Sequence, residues 1–165
     1  MTDPIWRTVF DASNKPLDWV SMVAALPFLG AAIVMWLFRG HPEMRRRGGA
    51  IFPVVIGGFA LLWTVAVSAS LGLQYLAAQS ALKDGTARVV EGPIKNFHPM
   101  PLNFHDTERF DVDGVHFEYG ATSTAGFDNT SSHGGPVHAD EYVRIHYING
   151  ASGPVIVRLE IREAP

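Results

Sequence analysis

Two long apolar runs come first, and a period of two follows them. From Gly48 to Leu82 no charged residue or histidine interrupts the chain, and the stretch Ala50–Leu73 is almost continuously apolar. A bilayer span needs about 20 mostly apolar residues at a rise of about 1.5 Å each. The run therefore predicts a transmembrane helix over residues 50–84, with an amphipathic extension after Leu73 and a stop at Gly85. Leu17 to Phe38 is the other run, and it predicts the first span. Trp19 and Trp36 stand near its ends, as interfacial aromatic belts do, and Pro27 predicts a kink inside it. Ala24, Gly30, Ala31 and Ala32 on the first span, and Ala66, Ser68, Ala69, Ser70 and Gly72 on the second, would let helices approach closely. They serve either a hairpin packed on itself or the seam of a homodimer.

From Ala87 the alternation is that of strands. Arg88–Glu91 leads through Gly92-Pro93 to Ile94 and Phe97, and Gly-Pro there predicts a bulge or bend. Glu108–Tyr119 is the strongest local signal. Asp113-Gly114 predicts a two-residue turn of the primed type. That turn sets Val112 opposite Val115 and Phe110 opposite Phe117 on one face, with Arg109 opposite Glu118 and Asp111 opposite His116 on the other. Gly120–Asp140 is a long polar connection. Tyr142–Ile148 and Val155–Ile161 complete the strands, the last with Val155, Val157, Leu159 and Ile161 expected to face inward. The fold class expected is a two-helix transmembrane hairpin followed by an all-β domain of about five strands, an antiparallel barrel or sandwich, over residues 86–165.

Charge sets the orientation. Arg39, Arg45, Arg46 and Arg47 fall in the connection 39–49, and short basic loops stay in the cytoplasm. Residues 1–16, polar and carrying Pro4 and Pro16, form an N-terminal segment on the other side, without the apolar core of a signal peptide. The β-domain is then extracytoplasmic. From Lys83 onward there are seven Lys/Arg against twelve Asp/Glu, a poor match to nucleic acid. The absence of cysteine excludes disulfides, thiolate metal sites and thiol nucleophiles.

Candidate chemistry is sparse. Six histidines follow the spans: His98, His105, His116, His133, His138 and His146. None has the HExxH spacing. His116 and His146 fall on outward strand faces, while His98, His105, His133 and His138 sit in loops where they could meet around a metal. Ser132-His133 with Asp106 or Asp128 could be assembled into a hydrolase triad. Gly134-Gly135-Pro136 reads as a tight turn or as a loop offering bare amides to a ligand. Phe127, the large apolar residue of the long loop, either pins that loop to the domain or projects toward a partner.

The motifs Val89-Val90-Glu91-Gly92, Phe110-x-Val112-x-Gly114-Val115-x-Phe117-x-Tyr119, Gly126-Phe127-Asp128-Asn129-Thr130-Ser131-Ser132-His133-Gly134-Gly135-Pro136 and Val143-Arg144-Ile145-x-Tyr147 form a recognisable set. With them, residues 87–162 resemble an uncharacterised family of small bacterial β-domains found beside membrane helices. The resemblance implies a bacterial envelope protein and brings no catalytic residues. The reading that follows is a plasma-membrane protein whose extracytoplasmic module binds a membrane or envelope partner. Phe127, Asn129, His133, Gly134 and Gly135 are its candidate contacts, and it calls for no cofactor or metal. The alternative is a membrane-tethered enzyme using the loop histidines and acidic residues.

Overall fold

The structure, a computed structural model, describes residues 4–24, 26–42, 51–101, 106–121, 123 and 126–163. The chain divides into two compact units: Leu17–Leu73, which is helical, and Met1–Pro16 with Gln74–Pro165, which is mostly β. Each is described by itself.

In the helical unit the first run holds α1 (Trp19–Val23) and α2 (Leu26–Leu37), with a turn at Ala24 close to where the kink is expected. The reason is local. Pro27 has no N–H to give the carbonyl of Val23, four residues before it. Beside the break, Ser68 Oγ of α3 (Ile51–Lys83) donates to the Met22 carbonyl at 3.2 Å. That bond gives a backbone carbonyl of the first run a side-chain donor from the neighbouring helix. Asp18 caps α1 by accepting from the Ser21 N–H at 3.1 Å. Small residues close the pair: a Cβ on Gly57 would lie 3.2 Å from that of Ala32. Trp19–Leu37, with 19 residues, and Ile51–Lys83, with 33, are long and apolar enough to cross a membrane. The Arg45–Arg47 run lies outside the described residues.

The β unit holds the C-terminal stretch Gln74–Lys83 of α3. The helix stops where the sequence predicts. Gly85 has φ +65°, and the N–H groups of Thr86 and Ala87 donate back to the Ala81 carbonyl at 3.0 and 3.1 Å. Among the described residues the strands are seven, not five, in two antiparallel sheets that do not close on each other. They are β1 (Trp6–Asp11), β2 (Arg88–Pro93), β3 (Lys95–His98), β4 (Glu108–Val112), β5 (Val115–Tyr119), β6 (Tyr142–Gly150) and β7 (Gly153–Arg162). One sheet has the order β1-β7-β6-β2 and the other β3-β4-β5.

The two additional strands have distinct causes. At Gly92-Pro93 the chain bends, and Ile94 carries it from one sheet to the other, so one expected strand becomes β2 and β3. Strand β1 comes from the N-terminal segment, and a bulge between Thr8 and Phe10 breaks its alternation. The expected inward face of β7 also needs correction. The β6–β7 register jumps from His146↔Arg158 to Tyr147↔Ile156, leaving Val157 as the extra residue. Ile156 therefore joins Leu159 and Ile161 in the main core, Val155 is only partly buried, and Val157 turns to the opposite face against Ala12 and Ala78. The β4–β5 hairpin is as expected in every pair. Asp113 and Gly114 both have positive φ, and Phe110, Val112 and Phe117 are fully buried.

Candidate functional site

Glu108 opens β4, and Tyr119, its register partner, closes β5. The strand alternation that buries Phe110 and Val112 also buries Glu108, which has no solvent exposure. A buried polar group is costly unless hydrogen-bonded, and this one is well supplied. Its carboxylate accepts from the Tyr119 hydroxyl, from Ser131 Oγ at 2.5 Å and N–H at 2.9 Å, and from the Met100 N–H at 3.5 Å. These donors are neutral. Burial, and then the bond to Glu108, raise the pKa of the Tyr119 hydroxyl far above its ordinary value.

The carboxylate fixes the loop that follows β5. Ser131–His133 forms a short 3-10 turn, ended by Gly134 with φ +81°. Gly135 then runs against the loop's own start. Its N–H donates to the Thr130 carbonyl at 2.9 Å, and a Cβ there would lie 2.1 Å from the Asn129 carbonyl oxygen. Thr130 is buried, with Oγ1 at 2.8 Å from His133 Nδ1. Upstream, Phe127 donates its N–H to Ile156 at 3.2 Å and is 2% exposed, its ring 5.0 Å from Tyr119 and 5.4 Å from Phe10. Beside it, a cleft of about 240 Å³ is lined by Gln74, Glu118, Tyr119, Ser123 and residues 152–156.

The five residues predicted as contacts thus separate. Phe127 pins the loop, and Gly135 permits the backbone to close on itself. Asn129, His133 and Gly134 remain exposed on the outer side of the turn. Glu108, which organises them, was not among the candidates, although the hairpin register places it on the inward face with Phe110 and Val112.

The hydrolase triad is not assembled. Ser132 Oγ is 3.2 Å from His133 Nδ1, but both candidate carboxylates are engaged elsewhere. Asp106 pairs with Arg109 at 3.4 Å and His98 at 3.6 Å, and Asp128 pairs with Lys15 at 2.8 Å. The Thr107 N–H, then Arg109 and His98, hold Asp106 below the usual carboxylate pKa. Among the described residues no three His, Asp or Glu side chains gather as metal ligands, and His105 lies outside them. His138 sits 3.5 Å from Glu141. His116 is solvated as expected, with 60% side-chain exposure and Asp111 at 2.7 Å. His146 is less so, at 22%. Burial lowers its pKa, and Glu160, 3.9 Å away, partly opposes that shift.

No protein-family model, curated protein or solved structure matches this chain.

Proposed function

We propose that this chain is a two-span anchor in a bacterial plasma membrane, displaying its two packed sheets as a sandwich outside the cytoplasm, where they bind or help assemble an envelope or membrane-protein partner. The observation that carries this reading is the construction of the loop. From within, Glu108 and Phe127 hold its backbone; on the outside, Asn129, His133 and Gly134 face solvent. A rigidly presented polar edge suits recognition, since preorganisation reduces the entropic cost of binding.

Connectivity supports the anchor. The chain leaves the β unit after Pro16 and rejoins it at Gln74. Two crossings of a bilayer return it to the side it left, as pairing of β1 with β7 needs. The arginines between the crossings favour the cytoplasm for that connection.

The test is capture from detergent-solubilised native membranes by the full chain and by an Asn129→Ala/His133→Ala variant. Both substituted side chains are exposed, but His133 Nδ1 also meets the buried Thr130 Oγ1, so a melt first checks that the variant folds; folded, it should lose most of the captured partner. Undiminished capture would remove this edge as the binding site. Gly135 is unsuitable for the same test, because any side chain there strikes the Asn129 carbonyl. A C-terminal phosphatase fusion, active only outside the cytoplasm, should be active. Strong signal from a reporter that works only inside would reverse the orientation.

A further inference from the structure

The turn Ala12–Asn14 and the following Lys15 link β1 to the first apolar run, and they touch two other parts of the β unit. On one side is the end of α3. Ala12, 3% exposed, packs with Ala78, 2% exposed, and with Val157, while Gln79 Nε2 donates to the Ser13 carbonyl at 3.4 Å. On the other side is the loop. Lys15 Nζ donates to the carbonyls of Ser123 at 3.1 Å and Gly126 at 2.9 Å, and to Asp128 Oδ2 at 2.8 Å. An ammonium has three hydrogens, and here three loop oxygens receive them. The side chain is only 21% exposed, so solvent competes poorly for it. Asp11 stiffens the start of the turn. It accepts from Ser13 N–H at 2.8 Å and Oγ at 2.5 Å, and it pairs with Arg158 at 2.7 Å.

We propose that residues 12–15 are a bracket through which the end of α3 and the lead-in to the first apolar helix set the conformation of the loop at Ser123, Gly126 and Asp128. A long loop is mobile unless something outside it fixes it. The bracket does this with a group that belongs to the membrane anchor's own lead-in. Displacement of α3 at Ala78 moves Ala12 and Ser13, and Lys15 follows by covalent connection. The loop, which continues directly into Asn129, then reports the pose of the helix to whatever binds there. The proposal rests on the binding reading for its purpose but not for its test.

Hydrogen exchange on the full chain in lipid nanodiscs measures it, read at Gly126–Asp128 with β4–β5 as the folding control. Lys15→Met keeps the length of the side chain and removes its donors. It should speed exchange at Gly126–Asp128 by about tenfold or more and leave β4–β5 unchanged. Ala78→Leu overfills the contact with Ala12 and should do the same from the other end. If either variant also unprotects β4–β5, Asp128→Asn decides, since it keeps both carbonyl bonds. Faster exchange confined to the loop supports the bracket, and exchange like the parent's overturns it. Unchanged loop exchange in a folded Lys15→Met chain, or in a folded Ala78→Leu chain, also overturns it. Partner capture plays no part in these readings, so their failure and that of the binding reading are separable.

Discussion

The β4–β5 hairpin and the loop from Gly126 to Pro136 lie side by side in the fold and are held in opposite ways. The register of the hairpin is set within it: a turn with two positive φ angles, apolar pairs facing in, and two polar pairs facing out. What fixes the loop is brought from elsewhere. Glu108 reaches Ser131 across 23 residues, Ile156 receives the Phe127 amide, and Lys15 comes from before the first helix. A locally specified element distributes its stability over many small terms. A remotely specified one concentrates it in a few residues, and its failures should be large and specific.

The sharpest way to break this contrast is Phe127→Ala. Truncating a buried phenylalanine costs about 3–5 kcal/mol, and here the loop should detach as the core opens. A melt of the full chain in detergent, followed by near-ultraviolet circular dichroism, should show that loss. A change within error would mean that the ring is not a pin. Next is Glu108→Gln, which keeps the shape but turns an acceptor into a donor facing Ser131 or Tyr119. About 1–3 kcal/mol should be lost, with faster exchange at Ser131. If Gln behaved as Glu, the carboxylate would not be what orders the turn.

Within the hairpin the effects should be smaller. Gly114→Val places a branched residue at φ +79° and should cost about 1–2 kcal/mol through backbone strain alone, because nothing lies within 4 Å of the new Cβ. Arg109→Ala removes an exposed cross-strand partner of Glu118 and should cost only about 0.2–1 kcal/mol. The reverse order in the same melts would show the register to matter more than the turn. The smallest effect is acid sensitivity at Asp111. The Asn96 amide, then His116, hold its carboxyl below 3.8. Its stabilising contribution is therefore present above that value and lost as the pH falls through the lower folded one. Hairpin amides should exchange faster below about pH 4 in the parent, and Asp111→Asn should remove that component. An identical acid response in both would assign it elsewhere.

This contrast also explains what could be read from the residues alone. The hairpin register, the α3 stop at Gly85 and the bend at Gly92-Pro93 were all legible, because each depends on residues within a few positions of one another. A bulge defeated the reading of the β7 face, exchanging Ile156 for Val157 in the core, and β1, with a bulge of its own, was not read as a strand at all. Pro27 announced a disturbance in the first helix, but not that Ser68 would donate to the Met22 carbonyl near it. At the site, Phe127 was named with pinning as one of two roles. Glu108 was missed because an acidic residue at a strand start is ordinarily solvated, and its Ser131 donors are visible only once the loop is folded.

The pairing of β1 with β7 also concerns time. Asp11 and Arg158, bonded across that pair, are 147 residues apart in the chain. At about 5–20 residues per second, a ribosome would need on the order of ten seconds to make what separates them. During that interval both apolar helices and the loop that Lys15 holds are made, while β1 has no partner. The β1-β7 pair therefore forms only after both helices have been made, and β7 seals β1. Until then the edge of β1 is open to chaperones or to a neighbouring nascent chain, so the rate of its capture by β7 is a quantity on which selection can act.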